Sequence, residues 1–174
     1  MDHHKTRAMA LFESGCQCAQ SVFAALCDET GLDEQDALAL SASFGGGIGR
    51  MRETCGALCG LLMALGCTLG RYPLGSSEGK DRHYRLTQYA ACRFKQQTGS
   101  VFCYELLGLP HAAQIPVSAP RTEQFYHDRP CTKLILAAVE VFDELMQEHK
   151  NGTLEQKITP EAAGKTTEYL NERA

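Results

Sequence analysis

Near the start of the chain, hydrophobic residues recur every three or four positions, which is the spacing of one face of an α-helix. The stripe predicts a single amphipathic helix that ends where Gly31 supplies a C-terminal stop. On a regular helix Cys16 and Cys18 point in nearly opposite directions, so we do not expect them to bind one metal together. The members of the stripe are Ala8, Leu11, Phe12, Gly15, Ala19, Val22, Phe23 and Leu26.

Three further helices are indicated by local signals. Asp33 is typical of an N-cap and begins the second helix. The third covers residues 53–70, and the fourth follows a Gly-Ser-Ser break and covers residues 77–97. Glycines cost the third helix about 1 kcal/mol each relative to alanine, so they suit close helix packing, room for a cofactor, or a homodimer. These glycines are Gly56, Gly60, Gly66 and Gly70.

The last core helix is expected to begin at Asp128-Arg129-Pro130-Cys131, with Asp128 as its cap and Pro130 as its first helical residue. Before it, residues 109–127 contain three prolines and predict an irregular loop. After it, residues 151–174 are polar and predict a C-terminal tail with a weak helix after Pro160.

No repeats and no series of strands are evident in the sequence. We therefore expect an all-α, single-domain helical bundle of about five helices, with a long irregular loop before the last core helix. Residues 1–150 would form the cysteine-rich helical domain and residues 151–174 the tail.

The net charge and the hydropathy of the chain reduce the number of partner classes that we expect for this protein. A formal net charge of −4 and the lack of a basic stripe argue against nucleic acid. The longest apolar run, residues 55–70, is too short to span a bilayer, and the polar N-terminus lacks the apolar segment of a secretory signal. We expect a cytoplasmic protein whose partner is a redox protein or a small-molecule electron carrier.

The most informative feature of the sequence is its cysteine content, nine cysteines in 174 residues. None forms a Cys-x-x-Cys pair, so the fold itself must gather the sulfur atoms from distant positions. In a reducing compartment such cysteines indicate metal binding or reactive thiols rather than structural disulfides.

Cys55 is the strongest candidate among them. It is predicted in the first turn of the third helix, where unpaired N–H groups and the helix dipole stabilise a thiolate, and Arg50 and Arg52 are near in sequence. Cys59 follows one turn later on the same face. Cys131, at the start of the last core helix, repeats the arrangement of Cys55.

Several of these elements together resemble a known pattern. Gly15-Cys16-Gln17-Cys18, the Cys-Gly-Ala-x-x-Gly element that starts at Cys55, and the later Cys103 and Cys131 resemble the C_GCAxxG_C_C family, which is proposed to be redox-active. The resemblance implies that Cys18, Cys55, Cys103 and Cys131 are the family cysteines. It also extends in part to split-Soret cytochromes, but the chain has no Cys-x-x-Cys-His motif, so a covalent c-type haem is not expected.

The chemistry of four such thiols has several interpretations. The main hypothesis is that Cys18, Cys55, Cys103 and Cys131 bind an iron–sulfur cluster or zinc and take part in electron or thiol redox transfer. One alternative is a structural zinc-binding or partner-binding module without turnover. Another is a metal-free thiol–disulfide oxidoreductase in which Cys55 is the nucleophile and Cys59 the resolving thiol. The plainest interpretation is that the cysteines are small buried hydrophobic residues.

Two other features are weaker. Gly45-Gly46-Gly47-Ile48-Gly49 suits a tight connection, an anion-binding loop, or close approach of backbone to a bound group. His127 lies four residues before Cys131 and suits a hydrogen bond to a thiolate, a place among metal ligands, or a solvent-exposed position. His3 and His4 are interpreted as residues of a terminal tail.

Overall fold

The computed structural model describes residues 2–172 and, within them, consists of helices joined by turns and loops. The all-α prediction is therefore confirmed. The prediction of about five helices is wrong, because predicted helices are broken and short ones lie between them. Eleven α-helices are present in the described part: α1 Asp2–Glu13, α2 Cys18–Ala25, α3 Cys27–Thr30, α4 Glu34–Ser41, α5 Gly56–Leu69, α6 Ser77–Thr98, α7 Cys103–Leu106, α8 Glu123–Asp128, α9 Cys131–Lys150, α10 Leu154–Lys157 and α11 Pro160–Asn171.

The first predicted helix is interrupted between α1 and α2. Gly15 has a φ of 106°, a backbone conformation that glycine adopts without steric cost, and the chain turns there. The side chain of Gln20 then accepts a hydrogen bond from the backbone N–H of Gln17 at 3.0 Å, which helps to start α2. The break places Cys18 at the first position of a new helix and leaves Cys16 in the connection.

Several predicted helix ends agree with the structure. Gly31 closes α3 in the left-handed conformation, the side chain of Asp33 accepts from the backbone N–H of Gln35 at the start of α4, and Ser76 caps α6. The start of α9 differs, because Asp128 is the last residue of α8 and Pro130 takes the cap position of α9. The short helix α8 also lies within the stretch that was predicted to be irregular.

Helix α5 is the centre of the core. It packs against α2, α9 and α6, and its buried residues include Ala57, Leu58 and Leu61. A Cβ at Gly60 would lie 2.7 Å from the carbonyl oxygen of Ala19, so glycine is what permits the close approach of α2. The close-packing interpretation therefore holds for this glycine, whereas Gly66 faces open space.

The C-terminal segment, residues 151–172, packs onto the same body. Leu154 and Ile158 are buried in the hydrophobic core, and α11 lies along α6. The ammonium group of Lys95 donates to the carbonyl oxygen of Tyr169 at 2.9 Å. These contacts join residues 151–172 to the helices before them.

Among the helices of residues 2–172, none combines the length and the apolar character needed to cross a bilayer.

We expect Gly60→Ala to lower the free energy of unfolding by about 1–3 kcal/mol, because the added methyl group forces α2 and α5 apart. Gly66→Ala is the matched control in the same helix, with nothing within 4 Å of the new methyl group. It should raise the free energy of unfolding by about 0.5–1 kcal/mol through helix propensity. Urea denaturation measures both, and equal effects of the two changes would contradict the packing argument.

Candidate functional site

The structure brings four cysteines from distant parts of the chain to the wall of one cavity of about 360 Å³. They are the same four that the resemblance implied. Each lies where a helix begins: Cys18, Cys103 and Cys131 are the first residues of α2, α7 and α9, and Cys55 is the residue before α5. Helix starts present unpaired N–H groups and a positive dipole end, so the arrangement favours negatively charged sulfur.

A short stretch of antiparallel backbone pairing holds two of the cysteines together. The N–H of Cys55 donates to the carbonyl oxygen of Val101 at 2.8 Å, and the N–H of Cys103 donates to that of Glu53 at 2.7 Å. Thr54 and Phe102 form the bridge between these bonds. The pairing fixes the entry to α5 beside the entry to α7, although the two cysteines are far apart in sequence.

The glycine-rich segment lies against this pairing. Gly47 has a φ of +69°, and a Cβ there would lie 2.6 Å from the Cβ of Cys103 and 2.9 Å from the backbone of Arg52. Residues Gly45–Ile48 are therefore a tight coil rather than a regular helix, and they lie on the cavity wall. The segment is a tight connection, and because Gly45, Gly46 and Gly47 line the cavity, its roles in anion binding and in close approach to a bound group stay predictions.

Four arginines line the same cavity, whereas its lining contains no aspartate or glutamate among the described residues. Arg52 is only 2 % exposed; its Nη1 donates to Sγ of Cys103 at 3.7 Å, and its Nε donates to Oε1 of Gln114 at 3.1 Å. Two of the guanidinium nitrogens, Nε of Arg50 and Nη1 of Arg121, are buried without a hydrogen-bond partner in the described structure. The cavity therefore has a positive wall beside its thiols, and the four arginines are Arg50, Arg52, Arg121 and Arg129.

The low pKa expected at Cys55 is not found. Burial raises the pKa of this thiol to about 12, even though hydrogen bonds from the backbone N–H groups of Leu58 and Ala57 act in the opposite direction. The helix start is present as predicted, but the side chain is only 3 % exposed and its desolvation outweighs the N–H groups. Without a bound cation, Cys55 is a protonated thiol at neutral pH.

The cavity cysteine with a lowered pKa is Cys131. A hydrogen bond from Cys18 lowers the pKa of Cys131, and the nearby Arg129, Arg121 and Arg52 lower it further against the effect of burial. The same hydrogen bond, together with burial, raises the pKa of Cys18. The interaction therefore favours negative charge on Cys131 over negative charge on Cys18.

The remaining cysteines stand apart from this group. Cys59 lies one turn beyond Cys55 but does not line the cavity, and burial raises its pKa to about 11. Its role as resolving thiol, like the nucleophile role of Cys55, stays a prediction. All nine cysteines are free thiols, and the four others outside the cavity lining are Cys16, Cys27, Cys67 and Cys92.

Among the described residues, no three of the four cavity cysteines have their sulfur atoms within 4.8 Å of one another.

Some of these residues escaped the sequence analysis. Arg121 is distant in sequence from all four cysteines, and no local signal identifies it. Arg129 had a local signal, because it lies two residues before Cys131 at a helix start. His127, which was considered as a partner for a thiolate, is exposed and contacts Asp128 at 3.1 Å.

The fold and the cavity define a helical, cysteine-rich class of protein, and a comparison with family models identifies the family. Residues 16–145 match the family described as "Putative redox-active protein (C_GCAxxG_C_C)", and the chain belongs to that family. No curated protein and no solved structure matches the chain.

We expect Cys131 in the metal-free, reduced protein to react with iodoacetamide at lower pH than the other cavity cysteines, because its pKa is lowered. Cys18→Ala should shift this reaction to higher pH, since it removes the hydrogen bond that is the main cause. Cys18→Ser keeps an O–H donor and should shift it less. Peptide mass spectrometry after timed alkylation measures each site, and identical pH profiles for the two variants would contradict the pairing.

Proposed function

We propose that this protein binds an iron–sulfur centre through Cys18, Cys55, Cys103 and Cys131 and passes electrons to a redox partner protein or a small-molecule carrier. The observation that carries the proposal is the convergence of these four thiols on one cavity. Membership of a family described as redox-active supports the same class of chemistry. When bound, such a centre supplies one-electron transfer.

The charge of the cavity supports this occupant. An iron–sulfur core ligated by four thiolates is an anion, and burying it requires positive groups or N–H dipoles around it. The chain supplies both, through four arginines and four helix starts. Nη1 of Arg52, 3.7 Å from Sγ of Cys103, is placed to donate to a ligating sulfur, an interaction that tunes the reduction potential of such centres.

The pKa pattern also suits ligands. A metal ion replaces the proton of a thiol, so a cysteine with a high pKa can still ligate, at the cost of releasing its proton. Cys55, buried and protonated, is accessible to a centre in the cavity but poorly accessible to a bulky substrate.

We expect protein purified without oxygen to contain iron and acid-labile sulfide and to absorb visible light. Replacing any one of Cys18, Cys55, Cys103 or Cys131 with serine should remove most of the iron. Cys67→Ser and Cys92→Ser, outside the cavity, are the matched controls and should retain it. Metal analysis and absorption spectroscopy are the measurements, with circular dichroism to show that each variant folds.

The other outcomes of this experiment are informative. Zinc without iron would favour a structural zinc-binding or partner-binding module. A folded protein with no metal and nine titratable thiols would overturn the metal proposal and leave thiol–disulfide exchange.

The hydrogen bond between Cys18 and Cys131 favours thiol–disulfide exchange as a second candidate. In this scheme the Cys131 thiolate attacks a disulfide of a partner, one partner sulfur leaves as a thiolate, and a mixed disulfide forms. Cys18 then loses its proton and attacks the sulfur of Cys131, so that the partner is reduced and a Cys18–Cys131 disulfide remains. The partner gains the two electrons that the two cysteines lose.

We expect oxidation of the metal-free protein with a small disulfide to join Cys18 to Cys131 before any other pair, since both thiols line one cavity and a hydrogen bond links them. Mapping by proteolysis and mass spectrometry identifies the pair. Cys131→Ser should accumulate no such bond, whereas Cys27→Ser should behave as the unmodified protein. A first disulfide between Cys55 and Cys59 would instead support the pair predicted from the sequence.

A further inference from the structure

A second group of ligand side chains lies away from the thiol cavity, where α1 meets α3 and α9. The Nε2 atoms of His3 and His4 and the carboxylate of Asp28 lie within 4.8 Å of one another. Nε2 of His3 is 3.0 Å from Oδ2 of Asp28, and Nε2 of His4 is 3.1 Å from Oδ1. The sequence analysis placed both histidines in a terminal tail, but they belong to α1.

A carboxylate contacts the second ring nitrogen of His4, as is usual for histidines that bind metal ions. His4 is 2 % exposed, and its Nδ1 is 2.7 Å from Oδ1 of the buried Asp143. A carboxylate on Nδ1 fixes the orientation of the ring and the tautomer, which directs the lone pair of Nε2 toward the opposite side. On that side lie Asp28 and His3. The other oxygen of Asp143, Oδ2, is buried without a hydrogen-bond partner, so this carboxylate increases the negative potential at His4.

The distances suit a first-row ion. In tetrahedral coordination with bonds of about 2.0–2.2 Å to nitrogen and oxygen, ligand atoms are separated by roughly 3.3–3.5 Å. A single oxygen of Asp28, Oδ2, lies 3.0 Å from Nε2 of His3 and 3.2 Å from Nε2 of His4, which is only a few tenths of an ångström shorter. The same contacts act as hydrogen bonds when a proton, rather than a metal ion, lies between the atoms.

We propose that His3, His4 and Asp28 form a second metal site, specific for a borderline divalent transition ion such as zinc, with Asp143 as the positioning residue of His4. Two imidazoles and one carboxylate are the donor set that such ions favour, whereas magnesium and calcium prefer oxygen ligands alone. The side chains of His3 and Asp28 are 66 % and 47 % exposed, so water completes the coordination. The ion would tie α1 to α3.

Titration with Co²⁺ under anaerobic conditions tests the site and separates it from the thiol cavity. Cobalt bound to cysteine gives an intense sulfur-to-metal charge-transfer band in the near ultraviolet, whereas cobalt bound to nitrogen and oxygen gives only weak visible bands. We expect one equivalent of cobalt bound to nitrogen and oxygen, whatever the cysteines bind. The proposal therefore does not depend on the function proposed for the cavity.

Substitutions of the proposed ligands show which residues bind this equivalent of cobalt. His3→Ala and Asp28→Asn replace exposed side chains, so folding should be kept, and each should lose the weakly absorbing equivalent. Asp143→Asn should weaken it by about 10–100-fold while leaving the ligands in place. His127→Ala is the matched control, since His127 is an exposed histidine 3.1 Å from an aspartate in another part of the chain. It should bind cobalt as the unmodified protein does.

Two results would overturn the site. One is that the unmodified protein binds only cobalt that shows the sulfur band. The other is that His3→Ala and Asp28→Asn bind the weakly absorbing equivalent with unchanged affinity.

Discussion

The buried guanidinium group of Arg52 is the constraint on which the cavity depends. The side chain is 2 % exposed, so its positive charge lies away from bulk water. Among the described residues it is bonded to the side-chain oxygen of Gln114 and to Sγ of Cys103, and to no carboxylate. A buried cation without a carboxylate partner favours an anion nearby, and sulfur is the group available to become one.

The backbone around Arg52 is built to place this charge. Ile48, Arg50 and Arg52 all have positive φ, a conformation that costs non-glycine residues of order 1 kcal/mol each. Gly47 adds the close approach to Cys103 that no other residue would permit. The hydrogen bonds of the antiparallel pairing between Thr54 and Phe102 offset part of this conformational cost. The pairing also joins Arg52, Cys55 and Cys103 into one unit. Local strain is concentrated where the thiols meet, which is typical of functional sites.

The sequence predicts features that depend on neighbours in the chain. The helical class, the cap at Asp33 and helix starts at or next to Cys55 and Cys131 follow from short patterns, and the family follows from the order of the cysteines. The break at Gly15 was missed because the hydrophobic stripe continues across it. The pKa of Cys55 was misjudged because its burial depends on tertiary packing, and the approach of Arg121 and of Asp143 to their sites has no local signal at all.

The contrast between Cys55 and Cys131 bears on which chemistry the cavity performs. A nucleophile must be ionised, and among the four cavity cysteines only Cys131, which accepts a hydrogen bond from Cys18, has a lowered pKa. Exchange would therefore use two of the four cavity cysteines and leave the buried Cys55 and the Arg52-bound Cys103 without a role. A metal centre would use all four, because ligation needs neither access for a bulky substrate nor a low pKa in the metal-free state. We propose the centre over the exchange reaction because four arginines beside four thiols suit a negatively charged occupant of the cavity.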